Sequence, residues 1–261
     1  MRFAQAPMAV AQLALLVLLG LAGCATRPPA DDPESVAEYE QTNDPAEPTN
    51  RAMYAVHQRL DDYLLRPAAV IYRDGIPRPI RLGVHNMLSN LRSPVVLTND
   101  ILQGEPRRAG DTAGRFLINS TLGVGGVLDV ARDHFGVAGH VEDFGQTFAH
   151  WGIGEGAFLF VPVIGPTNLR DLIGFGVGVV ADPFFWFGQG VAVAALTGSR
   201  TAATVLDVRE GLIETLDEVQ RTSMDPYATL RSGYRQRRRA EIENRSDPRA
   251  PLPLPPPAAP R

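Results

Sequence analysis

The apolar middle of this chain limits its fold more than any other feature. No charged residue occurs from Gly156 to Leu169 ("GAFLFVPVIGPTNL"), and two further uncharged tracts follow, Leu172 to Ala181 and Pro183 to Ser199. A membrane-crossing helix needs about 20 consecutive apolar residues. Asp171, Asp182 and Pro183 cut the zone into shorter pieces, and Pro162, Gly165 and Pro166 interrupt the first piece again. Irregular backbone in a bilayer core must be covered by protein or line a wet cavity, so these segments are not expected to cross singly. Two architectures stay open. The tracts are either buried core helices of a soluble domain, or half-inserted helices and a glycine-hinged hairpin lying within one leaflet around a polar cavity.

The start of the chain bears on that choice. Arg2 precedes an apolar segment, Met8 to Leu19, which runs into Leu21-Ala22-Gly23-Cys24. A charged start, a short apolar stretch and small residues before a cleavage point make a signal peptide, residues 1–23. A cysteine directly after small residues fits the bacterial lipobox, so Cys24 is expected to be lipidated and to become the mature N-terminus. It is the one cysteine of the chain, which excludes an intrachain disulfide. One acyl chain anchors only marginally, whereas several anchor stably. Under the sorting rule of Gram-negative lipoproteins, Ala25 rather than Asp after the cysteine favours the outer membrane. Residues 24–35 read as a flexible tether, 36–243 as one helical domain and 244–261 as a Pro-rich disordered tail. A formal net charge of -4 gives no reason to expect nucleic acid.

Within the domain the periodicity is helical, with almost no alternating strand pattern. Ile80, Val84, Met87 and Leu91 share a helical face. Ser93-Pro94 reads as the cap and first residue of a second helix that ends at Gly104. A third helix starts near Pro106 and carries Gly110 and Gly114 four apart, a spacing that admits close approach of a neighbour. Val205, Val208, Leu212, Leu216 and Val219 form one more stripe. The arginine run "RQRRR", Arg235 to Arg239, reads as a solvated helix face. Gly152, Gly154 and Gly156 alternate just before the uncharged run and permit positive φ, so this stretch reads as either a hinge or a static turn.

Catalytic patterns are scarce. The chain has no nucleophile elbow, no zinc-binding helix motif and no phosphate loop; "LGVGGVLD", Leu122 to Asp129, reads as a turn. His134, His140 and His150 lie near Asp133, Glu142 and Asp143, but their spacing matches no metal-ligand pattern. No cofactor and no metal are expected. This cluster leaves a lipoprotein hydrolase as the alternative function.

Several blocks then resemble, in order, the VacJ/MlaA family of lipoproteins: "NDPAEPTNRAMY" (Asn43 to Tyr54), "RPAAVIYRDGIPRPIRLGVHNMLSNLRSPVVLTNDILQGEP" (Arg66 to Pro106), "GRFLINSTLGVGGVLDVA" (Gly114 to Ala131), "EDFGQTFAHWGIGEGAFLFVPVIGPTNLRD" (Glu142 to Asp171) and "SMDPY" (Ser223 to Tyr227). Asn43, Asp44, Pro45, Asn50 and Arg51 carry the N-terminal motif. The chain departs from the family at Thr49, where an aromatic is usual, and at Ala46, where Leu is common. The resemblance implies an all-α, ring-like domain embedded in the inner leaflet of the outer membrane around an amphipathic channel. It implies a trimeric porin as partner and a periplasmic lipid carrier as acceptor of phospholipids removed from the outer leaflet. It implies no covalent chemistry. In that setting Asn119, Thr121, Gln146 and Thr147 read as channel lining or, equally, as caps and turns. Arg170 and Asp171 are expected to pair with each other or with neighbours at a helix start.

Overall fold

A computed structural model describes residues 32, 36, 39, 42–183 and 191–244. The expectations for the signal peptide, Cys24 and the Pro-rich tail beyond 244 fall outside these residues, and most of the tether does too. The elements are α1 (Glu47–Leu60), a π-helical turn (Asp61–Leu65), α2 (Arg66–Gly75), α3 (Arg78–Leu102), α4 (Pro106–Thr121), α5 (Val130–Phe135), α6 (Phe144–His150), β1 (Phe158–Val161), β2 (Gly165–Asn168), α7 (Leu169–Ala181), α8 (Val191–Gly211), α9 (Ile213–Thr222) and α10 (Pro226–Ile242).

The all-α expectation holds apart from one antiparallel hairpin, in which Phe158 pairs with Asn168 and Val161 with Gly165. This hairpin occupies the uncharged run. β1 is four consecutive apolar residues, the first three all buried, so it shows no alternation, and Pro166 is tolerated because a two-stranded sheet has only edges. Phe158 and Phe160 both stay buried against Tyr227, with Tyr54 and Tyr234 alongside. Tyr54 meets Phe160 edge-on at 5.3 Å and Phe158 meets Tyr227 at 6.2 Å, the geometry that ring quadrupoles favour.

Side-chain caps fix several helix starts. Asp129, Asp143, Asn168 and Asp225 each accept the backbone N–H three residues on, satisfying donors that a helix start leaves orphaned. The boundary expected at Ser93-Pro94 is absent: α3 runs through Pro94 for 25 residues. An interior proline costs about 3 kcal/mol. Burial of Val95, Val96, Asn99 and Asp100 just beyond it offsets that cost. The stripe from Val205 to Val219 is also divided, since Leu212 separates α8 from α9 and Val208 is exposed.

Close helix approach occurs elsewhere than expected. Gly110 and Gly114 face open space, whereas a methyl group at Gly174 would overlap the backbone of Gly145. Here α6 and α7 cross, and a methyl at Gly145 would also strike Arg238 and Asp171. The glycine-rich segment after α4 is a turn, as expected; Gly126, at φ 94°, lets Asn90 pass where a Cβ would collide.

Candidate functional site

The N-terminal motif clamps the hairpin. Asn50 donates Nδ2 to the Phe158 carbonyl at 3.0 Å and accepts Phe160 N–H on Oδ1 at 2.9 Å, so its amide replaces a missing third strand. Its Nδ2 also donates to Asp44 at 2.7 Å. Asp44 is buried and takes further bonds from the Tyr227 hydroxyl and from Arg231, the latter at 2.7 Å. Burial first, then this carboxylate, pushes the Tyr227 phenol well above its ordinary range. Asn43, at φ 50°, donates to the Gly156 carbonyl at 2.6 Å and accepts from Phe158 N–H at 3.0 Å. Arg51 bonds Asp225 through both terminal nitrogens and lies 4.5 Å from the Tyr227 ring centre. Pro45 sits half-buried in the turn between Asn43 and α1, and Ala46 is buried beside it.

A second buried network joins α6, α7 and α10. Arg238, taken from sequence as solvated, is buried; it bonds Asp171 at 2.8 Å and Asp143 at 2.6 Å. The arginine run hides a residue that is apolar-facing by period and paired by charge. Burial alone would raise the Asp143 pKa, yet the hydrogen bonds and charge of Arg238 outweigh it and hold the carboxyl at about 2. Arg170 pairs with Asp171 at 3.0 Å, and the Tyr234 hydroxyl donates to the same carboxylate at 2.5 Å. Arg235 reaches Glu155 at 2.7 Å, so it too is not simply solvated.

The hinge glycines divide into two groups. Gly152 is exposed at φ 85°, and Gly154 has nothing within 4 Å of a would-be Cβ. Gly156, at φ 67°, is pinned by Asn43, and a Cβ there would press on Leu169 at 3.0 Å. Pro162 begins the hairpin tip and Gly165, at φ 95°, ends it. Between them Val163 holds φ 72°, uncommon for a β-branched residue, and its N–H donates to His57 Nδ1 at 3.0 Å.

The remaining polar positions scatter. Asn119 is buried, donating to Asp129 at 3.0 Å and accepting from Ala131 N–H at 2.9 Å. It also lines a polar cavity of about 60 Å³ with Arg115, Thr112 and His140. Thr121 is exposed and bonds back to the Leu117 carbonyl at 2.7 Å. Thr147 donates to Asn99 at 2.6 Å, and Gln146 donates to the Val141 carbonyl at 3.3 Å.

The three histidines do not converge. His134 and His150 are exposed, while His140 bonds Asp100 at 2.8 Å. Among the described residues His140, Asp100 and Glu142 could share a cation. Arg108, however, already pairs with Glu142 at 2.5 Å and lies 3.9 Å from Asp100, supplying one positive charge to the two carboxylates. Sequence reasoning missed Asp100, Arg108 and Asn99 because His140, Glu142 and Thr147, which they bond, lie 40, 34 and 48 positions away.

The sequence profile of the MlaA lipoprotein family matches residues 42–241. Curated relatives include the intermembrane phospholipid transport system lipoprotein MlaA of Escherichia coli strain K12, 36% identical over 226 residues, covering 83% of this chain and 82% of that one. The protein of the same name from Haemophilus influenzae Rd is 31% identical over 225 residues, covering 85% and 86%. A solved structure reported as a structural basis for maintenance of bacterial outer membrane lipid asymmetry superposes with a TM-score of 0.65 at 31% identity, covering 76% of this chain and 98% of the other.

Proposed function

The chain belongs to the MlaA lipoprotein family, and from that premise we propose that it is the outer-membrane lipoprotein of a phospholipid transport system that maintains lipid asymmetry. Phospholipids misplaced in the outer leaflet leave through it toward a periplasmic carrier. The chain does no covalent chemistry on them.

One observation carries the membrane-embedded reading: α7 turns its apolar side outward. Ile173, Phe175, Val179 and Val180 are each 44–55% exposed on a 13-residue helix with no charge after Asp171. Such a helix is about 20 Å long, against a hydrocarbon core of about 30 Å. No helix among the described residues is long and apolar enough to cross a membrane. A monomer in water rarely exposes apolar patches of this extent, and a body lodged in one leaflet needs them. Tyr63, Leu64 and Ile71 on the π turn and α2, and Leu117 and Leu122 at the end of α4, extend the exposed apolar surface. In this arrangement the polar residues buried inside would line or support a path for the lipid head, and Cys24 would supply the anchor in the inner leaflet. A trimeric porin would hold the ring in place.

The test replaces Ile173 with Glu and Phe175 with Lys in the full-length lipoprotein, expressed in a strain lacking its own copy. The variant should keep the wild-type unfolding transition, since exposed positions change stability by about 0.5 kcal/mol or less. It should fail to restore resistance to SDS with EDTA and should no longer copurify with a porin. Full resistance with both charges present would overturn the embedded reading. Cys24→Ala separates anchor from girdle: loss of outer-membrane fractionation is expected, and full retention would show that the girdle suffices.

A further inference from the structure

Part of the His/Asp/Glu cluster comes together in a way that lipid transport does not use. Asp100 lies near the end of α3, and His140 and Glu142 lie in the segment 136–143 that joins α5 to α6. One ligand atom from each, an imidazole nitrogen and two carboxylate oxygens, fall within 4.8 Å of one another. No sequence spacing announces this set, because Asp100 stands 40 positions before His140.

The set is buried and oriented. The Asp100 and Glu142 side chains are 0% and 1% exposed. Thr112 donates to Asp100 Oδ2 at 2.6 Å, and Gln103 donates to Glu142 Oε2 at 2.8 Å. Gln103 is itself steadied by Thr147 at 3.1 Å. These neutral donors each hold one oxygen of a carboxylate. The other two are Asp100 Oδ1, which His140 Nε2 meets at 2.8 Å, and Glu142 Oε1, which Arg108 holds. Carboxylates oriented in this way from behind are what the outer shell of a metal site supplies.

The charge of the cluster is incompletely balanced. Arg108 brings one positive charge to two carboxylates, so with a neutral imidazole one negative charge stays in the interior, where it is costly. The fit of Arg108 is also poor. Its Nε is buried without a partner among the described residues and stands 3.9 Å from Asp100 Oδ1, too far for a hydrogen bond. The Arg108 side chain is 25% exposed, so it can turn out to water. A dication in its place balances both carboxylates and releases the stranded Nε. The polar cavity of about 60 Å³ has His140 and Thr112 in its wall, room enough for water beside the imidazole.

We propose that Asp100, His140 and Glu142 form a zinc site, in which zinc displaces Arg108 and water from the polar cavity completes the coordination. One imidazole and two carboxylates, with no thiol, make a nitrogen–oxygen set suited to zinc, and three protein ligands plus water is an established zinc arrangement. Magnesium gives up its water reluctantly and favours oxygen ligands. Zinc bonds of about 2.0–2.1 Å at tetrahedral angles keep ligand atoms about 3.3 Å apart. Binding therefore spreads the His140–Asp100 pair, now at 2.8 Å, a movement open to a segment without helix or strand. The bound ion ties that segment to α3. The proposal stands independently of the transport reading.

The test uses tag-free full-length protein in a maltoside detergent, stripped with EDTA, exchanged into metal-free buffer and titrated calorimetrically with zinc chloride or magnesium chloride. Zinc should saturate near one ion per chain and raise the unfolding midpoint; magnesium should do neither. His140→Ala should weaken zinc by at least about tenfold, a loss that outer-shell changes alone can cause, and should abolish the rise in midpoint. Should His140→Ala fail to fold, Glu142→Gln, which keeps the shape of the side chain, decides by the same two readings. Arg108→Gln distinguishes this site from any other on the chain, because removing the competing cation should tighten zinc binding. His85→Ala, which removes the exposed contact with Asp207, should leave it unchanged. Absence of zinc binding by the unaltered chain would overturn the proposal. So would zinc binding that survives in His140→Ala or Glu142→Gln, that falls in His85→Ala, or that fails to tighten in Arg108→Gln.

Discussion

The interior around the hairpin and the outer face of α7 are built on opposite rules. The first buries charged and polar groups: Asp44, Asn50, Arg170, Asp171 and Arg238 are all below 10% exposed, and all but Arg170 bond partners on distant elements. The second leaves Ile173, Phe175 and Val180 each about half exposed. In ordinary soluble proteins Arg and Asp are almost never fully buried unless paired, and large apolar residues are mostly inside. The inversion separates two jobs. Directional hydrogen bonds hold the shape without relying on exclusion of water, and the apolar residues this frees are available to meet lipid.

If that division is real, the interior should be far more sensitive than the rim. Arg238→Met should have the largest effect, about 3–5 kcal/mol, since it strands Asp143 without its cation and leaves Asp171 with Arg170 alone. Denaturant unfolding in detergent would measure it, and a loss below 1 kcal/mol would mean the network is dispensable. Asn50→Ala should follow at about 2–3 kcal/mol, because Phe158 C=O and Phe160 N–H lose their one side-chain partner.

These two positions also show where sequence reading stops. The helices around Ile80 to Leu91 and from Pro106 were legible from the spacing of apolar residues and the proline, whereas the caps Asp129, Asp143, Asn168 and Asp225 were not read. Asn50 was legible as part of a motif, but its role was not, because it depends on a hairpin 108 positions later. Arg238 was misread because a run of arginines carries the same composition whether solvated or paired, and only the arrival of Asp143 and Asp171 decides. Pro94 was misread for the opposite reason: local chemistry favoured a boundary, and burial of the residues after it prevailed.

Acid should sharpen the contrast at a smaller amplitude. Asp143 has its folded pKa depressed to about 2 from 3.8, so its contribution, at most about 2 kcal/mol, is complete above pH 4 and lost as the pH falls toward 2. His57 is also depressed, from 6.5, so the neutral form is the folded one and its contribution fades as the pH drops below 6.5. Unfolding midpoints should therefore fall in two stages on acidification, and His57→Phe should remove the upper one. A flat profile from pH 7 to 3 would contradict both.

The smallest effect on stability is expected between the two regions. Gly154 has no positive φ and nothing within 4 Å of an added Cβ, whereas at Gly156 the φ of 67° lies opposite to the proline value of about -65°. The idea of a hinge therefore stands or falls at Gly154. Gly154→Pro should leave the unfolding midpoint within about 1 kcal/mol and alter SDS–EDTA sensitivity at normal protein level. Wild-type behaviour in that assay would make the stretch a static turn.

The clamp has a further consequence for how the chain acquires its shape. Asp44 is closed in by Tyr227, 183 positions downstream, and Arg51 by Asp225, 174 positions downstream. A chain that emerges from a translocation pore N-terminus first must hold α1 with its carboxylate still hydrated until α10 arrives, because burying that carboxylate alone is too costly. Contacts of such long sequence separation are slow to form. Completion of the body is thus coupled to completion of export: a chain halted before α10 lacks the residues that close its beginning, and it presents its apolar rim and its unpaired interior together.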